Sequence, residues 1–344
     1  MATGLAKKLQ NLLGRQQSGL VIVILLLVVI LTSLAGSHID RTTGKTVNNF
    51  LNFHTLMQTA TDASFFAVMA VGATMVIILG GIDLSVGSIY AICGVLTAMM
   101  LRHLNIDSPT AVILGILASV GLGTVCGTFN GLMVVGLEVH PFIITLGTMW
   151  IFRGIAFVMS KAESILVPGA LMAFAKANLG LSAALYPVAM LIMIGVTAAG
   201  AFYLAKTVMG RHIYAVGGNT EASRYAGLHV KRITISVFAI SGLTAGIAAF
   251  LGIAYYGSAC CGDATGYELY VIASAVVGGA SLSGGKGSAV SAMLGAVLII
   301  LIRQSIRTLH FNQNYEWIII GAATIIAVVL DKLNARLTLK RAMK

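Results

Sequence analysis

Charge is what this 344-residue sequence has least of: only 10% of its residues are Asp, Glu, Lys or Arg. A soluble domain carries about 25%. So few charges cannot cover a water-facing surface, which excludes a soluble enzyme, a disordered chain and a nucleic-acid module. Cysteine is also sparse. Cys93, Cys126, Cys260 and Cys261 form no C-x-x-C pair, and no Cys/His cluster has zinc-ligand spacing. Cys93 and Cys126 lie in apolar runs, where a free thiol behaves as a small hydrophobe. No pair of histidines suggests a metal, and no cofactor is expected. Four prolines against 39 glycines suit membrane helices that approach one another closely.

What the chain has is apolar length. Residues of the apolar and aromatic types make up 58% of it. Runs long enough to cross about 30 Å of hydrocarbon recur along it. They fall near 19–36, 57–80, 88–104, 110–136, 142–160, 186–206, 233–256, 267–284, 288–308 and 315–333. The expected fold is an all-α polytopic membrane protein of about ten helices, one transmembrane domain over 1–344. Its tails would be 1–18 and 334–344, and its longest polar connection on the side of the termini 207–232. If the N-terminus is cytoplasmic, 14 of the 22 Lys and Arg fall on inside segments, seven outside, and Arg153 inside a span. That bias places both termini in the cytoplasm. Ser33-Leu34-Ala35 resembles a signal-peptidase site, but the run from Gly19 to Gly36 exceeds a 7–15-residue signal core, so a retained helix is expected.

Small residues are patterned in two ways. Gly115, Ser119, Gly123, Gly127 and Gly131 recur every four residues and form one groove on a helix. Ser241/Ala245/Ala249, Gly242/Gly246 and Ser288/Ala292/Ala296 are shorter versions; all read as packing seams. The second pattern interrupts helices. Gly80-Gly81-Ile82-Asp83-Leu84-Ser85-Val86-Gly87 and Gly278-Gly279-Ala280-Ser281-Leu282-Ser283-Gly284-Gly285 both fit G-G-x-x-L-S-x-G. Paired Gly-interrupted helices in two halves of a membrane protein point to a transport path. Lys286 does not complete a phosphate loop, because Ala280 and Gly287 replace the required Gly and hydroxyl.

In the 207–232 connection, Asn219 or Thr220 can cap a short helix, Glu221 suits its first turn, and Gly227 can supply the left-handed residue that ends it. Here the sequence resembles a known family. Glu221-Ala222-Ser223-x-x-x-Gly227 looks like the E-A-A-x-x-x-G loop of ABC importer permeases. Gly81 to Ser88, Thr145-Leu146-Gly147-Thr148-Met149 with Arg153-Gly154, Gly266-Tyr267-Glu268-Leu269 and the stretch from Gly278 to Gly287 resemble the ribose/xylose/arabinose-type branch. The departures are Tyr270, where ribose permeases carry Asp, and a long polar connection between the first two spans. The resemblance implies a bacterial inner-membrane permease subunit that pairs with a second copy or a close paralogue. A periplasmic binding protein would deliver a monosaccharide, and a cytoplasmic ATPase would grip Asn219, Glu221, Ala222, Ser223, Arg224 and Gly227. The family-motif breaks would be Gly81, Asp83, Ser85, Gly87, Gly279, Gly284 and Gly285. An energy source in this chain itself is not expected.

Polar residues inside spans are costly unless paired or hydrated. Arg153, Asn130, Arg303 and Gln304 are therefore candidates for the path or for pairing helices. Arg303 and Arg307, one turn apart, are expected to snorkel to headgroups. Asp83 is expected to cap the following helix. Asp62, Asp83 and Glu268 are placed at span edges, which argues against a proton- or sodium-coupled carrier. A self-sufficient facilitator or carrier of a small polar solute is the alternative reading.

Overall fold

The computed structural model describes residues 16–39, 44–180 and 186–319, together with 321, 322, 325 and 329. Residues 1–15 of the first tail, the whole of the second and ten of the 19 residues of the run at 315–333 lie outside the described residues. Among the described residues, eight helices are long and apolar enough to span a membrane. They are α1 (Gln16–Leu34), α2 (Phe53–Ile78), α3 (Val86–Leu104), α4 (Pro109–Leu137), α5 (Pro141–Ser160), α7 (Val188–Lys206), α10 (Val230–Tyr256) and α12 (Ala289–Thr308). Shorter helices are α6 (Gly169–Ala175), α8 (Val208–Gly218), α9 (Thr220–Tyr225) and α11 (Tyr267–Val277). Strands β1 (Ser37–Ile39) and β2 (Thr46–Asn48) pair antiparallel, as do β3 (Ile165–Leu166) and β4 (Ser258–Ala259).

The expected all-α polytopic fold is therefore present, and eight of the ten expected spans map onto long helices. The run at 267–284 differs. It forms a helix of only 11 residues, about 16 Å at 1.5 Å per residue, half a bilayer. Its end is set by Gly278-Gly279. A Cβ on Gly278 would lie 2.4 Å from the Ser291 carbonyl, and Gly279 has φ +92°. Within 207–232, α8 is a further helix that polar composition did not suggest.

α2 is the axis of the bundle. Its most apolar stretch is 94% buried, against 11% for α1 and 22% for both α4 and α5. An apolar helix exposed to this degree has its face available to lipid or to another subunit. α1 is nonetheless packed on the bundle: Leu31 lies with Phe50 and Leu301.

The α4 seam is where the small-residue pattern placed it. A Cβ on Gly123 would sit 2.3 Å from the Gly242 carbonyl, and one on Gly127 2.2 Å from the Phe238 carbonyl. Ser119 Oγ donates to the Gly246 carbonyl at 2.8 Å. α4 and α10 thus touch backbone to backbone, the geometry that small residues allow in a membrane.

Candidate functional site

α2 stops at Leu79, and Gly80 turns the chain with φ +91°. Gly81, Asp83 and Ser85 are then buried, with Ile82 and Leu84 half-buried between them, before α3 begins. Asp83 organises this break. Its Oδ1 accepts from the Ser85 N–H at 2.9 Å and from Ser85 Oγ at 2.6 Å. Its Oδ2 accepts from Ser241 Oγ on α10 at 2.9 Å. Asn130 Nδ2 on α4 donates to Ser85 Oγ at 2.7 Å, and Thr145 Oγ1 on α5 donates to the Ile82 carbonyl at 3.1 Å. Asp83 binds Ser85, the residue before α3, and not the first residues of the helix itself, and it ties the break to α10, while Asn130 through Ser85 and Thr145 through Ile82 tie it to α4 and α5. Asp83 is 2% exposed and Asn130 is 0% exposed. The expectation of Asp83 at a span edge is corrected. The glycine turn sends the chain inward rather than along the membrane surface.

The second break, after α11, folds onto the first. Gly285 N–H donates to the Ile78 carbonyl at 2.8 Å. Gly217, near the end of α8, completes the junction: a Cβ there would lie 1.7 Å from the Ile78 carbonyl oxygen and 2.9 Å from the Gly285 nitrogen. Gly284 and Gly285 have φ +83° and +73°, so each is left-handed as well as close-packed. Tyr214 Oη, also on α8, donates to the Gly287 carbonyl at 2.8 Å. Three glycine-rich segments far apart in sequence thus meet backbone to backbone.

The junction leads directly into the capped helix expected from sequence. Asn219 accepts from the Ala222 N–H at 2.8 Å and so caps α9. At the other end Gly227 has φ +82°. Its N–H donates to the Arg224 carbonyl at 3.0 Å, and that of Leu228 to the Ser223 carbonyl at 3.0 Å. This pair of bonds is a Schellman stop. Ser223 is buried. Glu221, Ala222, Arg224 and Gly227 are exposed, and Tyr225 is 86% exposed. α9 therefore presents a rigid polar and aromatic face away from the bundle.

Arg153 on α5 donates through Nη1 to the Cys261 carbonyl at 2.7 Å and the Asp263 carbonyl at 2.5 Å. It pairs elements through carbonyls, one of the two roles expected for it. The 257–266 connection that it grips brings the half-buried start of α11 level with the middle of α2. Tyr267 stacks with Phe66, near the middle of α2, at a ring separation of 4.4 Å. A Cβ on Gly87 would meet Glu268 Oε2 at 2.5 Å. Glu268 thus faces the start of α3 rather than a span edge, a second correction with the same cause: an inward-folded connection.

At the opposite end from α9, Arg303 and Arg307 are each paired with an acidic residue. Arg303 Nε lies 3.0 Å from Glu316 Oε1, and Arg307 Nη1 3.5 Å from Asp62 Oδ2. These acidic residues lie on two other segments, which run-by-run reading cannot see. Gln304 only donates to Thr308 Oγ1 at 3.2 Å, one turn away. Sequence reasoning missed Gly217 and Tyr214. The Gly217-Gly218 pair was visible, but only the fold says which of the two is in contact.

An all-α membrane protein whose broken helices converge beneath an exposed, doubly capped helix has the architecture of a transport permease. The family model described as "Branched-chain amino acid transport system / permease component" matches residues 55–328. The chain belongs to this family and is a multi-pass membrane permease. It is 35% identical to the D-allose transport system permease protein AlsC of Escherichia coli over 289 residues, 83% of this chain and 86% of that protein. It is 34% identical to the ribose import permease protein RbsC of Escherichia coli over 287 residues, 83% and 86% of the two chains. To the L-arabinose ABC transporter permease protein AraH of Azospirillum brasilense it is 33% identical over 304 residues, 87% and 85%.

Proposed function

We propose that this chain is the membrane subunit of an ABC importer of a monosaccharide, working in the bacterial inner membrane with both termini in the cytoplasm. Two such subunits, identical or paralogous, enclose the path. A periplasmic binding protein delivers the sugar to the end that carries Arg303 and Arg307. A separate cytoplasmic ATPase grips α9 through Glu221, Ala222, Arg224 and the exposed Tyr225. The relatives' sugars (allose, ribose and arabinose) support the substrate class over the amino acids in the family's description.

The observation that carries this reading is the contact between the α8 end and both glycine breaks. A push on α9 is transmitted through Asn219 to Gly217. From there it reaches the Ile78 and Gly285 backbones and hence α2, α3 and α12. Contact without side chains leaves no flexible atoms to absorb the displacement, so α8 and the breaks move together. The Asp83 network holds the first break to α4, α5 and α10, so the displacement reaches both sides of the bundle.

The test is reconstitution. In liposomes, sugar should accumulate only when the chain, its ATPase, its binding protein and ATP are all present. Tyr225→Ala should abolish accumulation and the sugar-stimulated part of ATP hydrolysis while leaving the melting temperature unchanged. Concentrative uptake by the chain alone would instead establish the self-sufficient carrier.

A further inference from the structure

The tyrosines are not evenly distributed. Six of the ten in the chain cluster as two ring groups on adjacent residues of α2: Tyr186, Tyr255 and Tyr256 about Phe65, and Tyr90, Tyr267 and Tyr270 about Phe66. Trp317, one of only two tryptophans, joins the second group 5.8 Å from Tyr270. Tyrosine and tryptophan gather at membrane interfaces, where amphipathic rings meet headgroups. An interfacial belt does not explain this cluster. Its rings pack on one another, Tyr270 is 4% exposed, and Tyr267 reaches the middle of α2.

Two polar networks run through the rings. Tyr270 Oη donates to Glu316 Oε1 at 2.6 Å, and Arg303 pairs with the same carboxylate. Tyr255 Oη donates to Gln58 Oε1 at 2.9 Å, and Gln58 Nε2 donates to Asp62 Oδ1 at 3.0 Å. Asp62 is held by Arg307 only at 3.5 Å. Two rings of this face are open, Tyr256 at 58% and Trp317 at 57% exposed, while the carboxylates lie beneath, with the Asp62 side chain 16% and the Glu316 side chain 10% exposed.

We propose that this face is a saccharide-binding site of the permease, taking one neutral sugar ring before it enters the bundle. The inference rests on the monosaccharide reading above and gives that reading a location. Ring faces beside planar charged and amide groups are the groups a sugar needs. Its C–H face lies on an aromatic face, and its adjacent hydroxyls span a carboxylate or a guanidinium. Arg303 and Arg307 are each paired with a carboxylate and Lys176 lies over the Tyr255 ring at 5.6 Å, so neither paired carboxylate is free to take the ammonium group of an amino acid. The long Arg307–Asp62 contact is the one a pair of sugar hydroxyls can enter at least cost.

Trp317 supplies the test. In a Trp150→Phe variant it is the sole tryptophan. This full-length chain, in lipid nanodiscs, is titrated with D-allose, D-ribose, L-arabinose, D-fructose and L-leucine. A saturable change in Trp317 fluorescence is expected with at least one sugar and none with L-leucine. Asp62→Asn and Tyr256→Leu, the latter on an exposed ring so that folding is kept, should each weaken that binding roughly tenfold, the range of one charged hydrogen bond. A flat response to all four sugars at millimolar concentration, or binding unchanged in both variants, overturns the site. Uptake of the same compounds by cells carrying the full transporter separates the two readings. Sugar uptake with a silent Trp317 removes the site alone, whereas uptake of L-leucine and of no sugar removes the transport reading.

Discussion

Two neighbouring glycines allow a sharp test of the junction. Gly217 and Gly218 end the same helix, α8. A Cβ at Gly218 meets nothing within 4 Å, whereas one at Gly217 lies 1.7 Å from the Ile78 carbonyl oxygen. Real Cβ atoms essentially never approach another atom closer than 3.0 Å, so Gly217→Ala must open the contact by about 1.3 Å. The obstacle is backbone, so no rotamer change relieves it. Overpacking of this kind costs about 1–3 kcal/mol, and parting Gly285 N–H from the Ile78 carbonyl costs about 1 kcal/mol more. Alanine improves helix propensity by up to about 1 kcal/mol at either position. The net expectation is a loss of about 1–3 kcal/mol for Gly217→Ala and no loss for Gly218→Ala. Thermal unfolding in detergent reads the stability. Reconstituted transport reads coupling, which should fall far more in Gly217→Ala than its stability loss explains. Two variants with indistinguishable melting temperatures and transport would refute the close three-way contact.

The same comparison applies to the α4–α10 seam: Gly242→Ala places a Cβ 2.1 Å from the Gly123 carbonyl, whereas Gly147→Ala meets nothing within 4 Å, so only the former should lower the melting temperature. Asp83→Ala leaves the Ser85 N–H and the Ser85 and Ser241 hydroxyls without their acceptor. The expected loss is about 3 kcal/mol or more, measured by thermal unfolding, and a neutral result would show that the network does not hold the break. Asn219→Ala removes the α9 cap and should cost about 1 kcal/mol locally, seen as faster amide exchange over residues 220–225 with the bundle unchanged. Arg153→Leu removes two carbonyl bonds to the 258–266 segment, and exchange there should rise while that of α9 stays the same.

Features that depend on one helix or one turn were legible in the sequence. The eight long spans follow from apolar length, and the α4 seam from a four-residue repeat. Asn219 and Gly227 follow from capping chemistry, in which the residue type itself performs the task. What failed was depth. Asp83 and Glu268 were placed at edges because each adjoins the end of an apolar run. Hydropathy measures how far a run extends but does not say whether the following turn leaves the membrane. The ion pairs of Arg303 and Arg307 were not legible for a related reason: their partners, Glu316 and Asp62, belong to other segments, and a residue alone gives no sign that its charge is already met.

The pair of G-G-x-x-L-S-x-G breaks shows how the two kinds of information combine. The repeated motif suggested a shared role, and the structure gives the two copies different tasks. In the first copy Asp83 binds the break to Ser241, and through Ser85 to Asn130, so this copy is anchored in the bundle. In the second copy position 281 is Ser where the first has Asp83, and left-handed glycines dominate. That copy sits between Ile78 and α8, held by the Gly285–Ile78 backbone bond and the Tyr214–Gly287 bond. One copy has a buried charge to keep it fixed; the other has glycines that let it lie between two backbones. A device that moves one end of a bundle against a fixed frame needs one of each. Exchanging the two, with Asp at position 281 and Ser at 83, would take the shared acceptor away from Ser85 and Ser241 and loosen the first break.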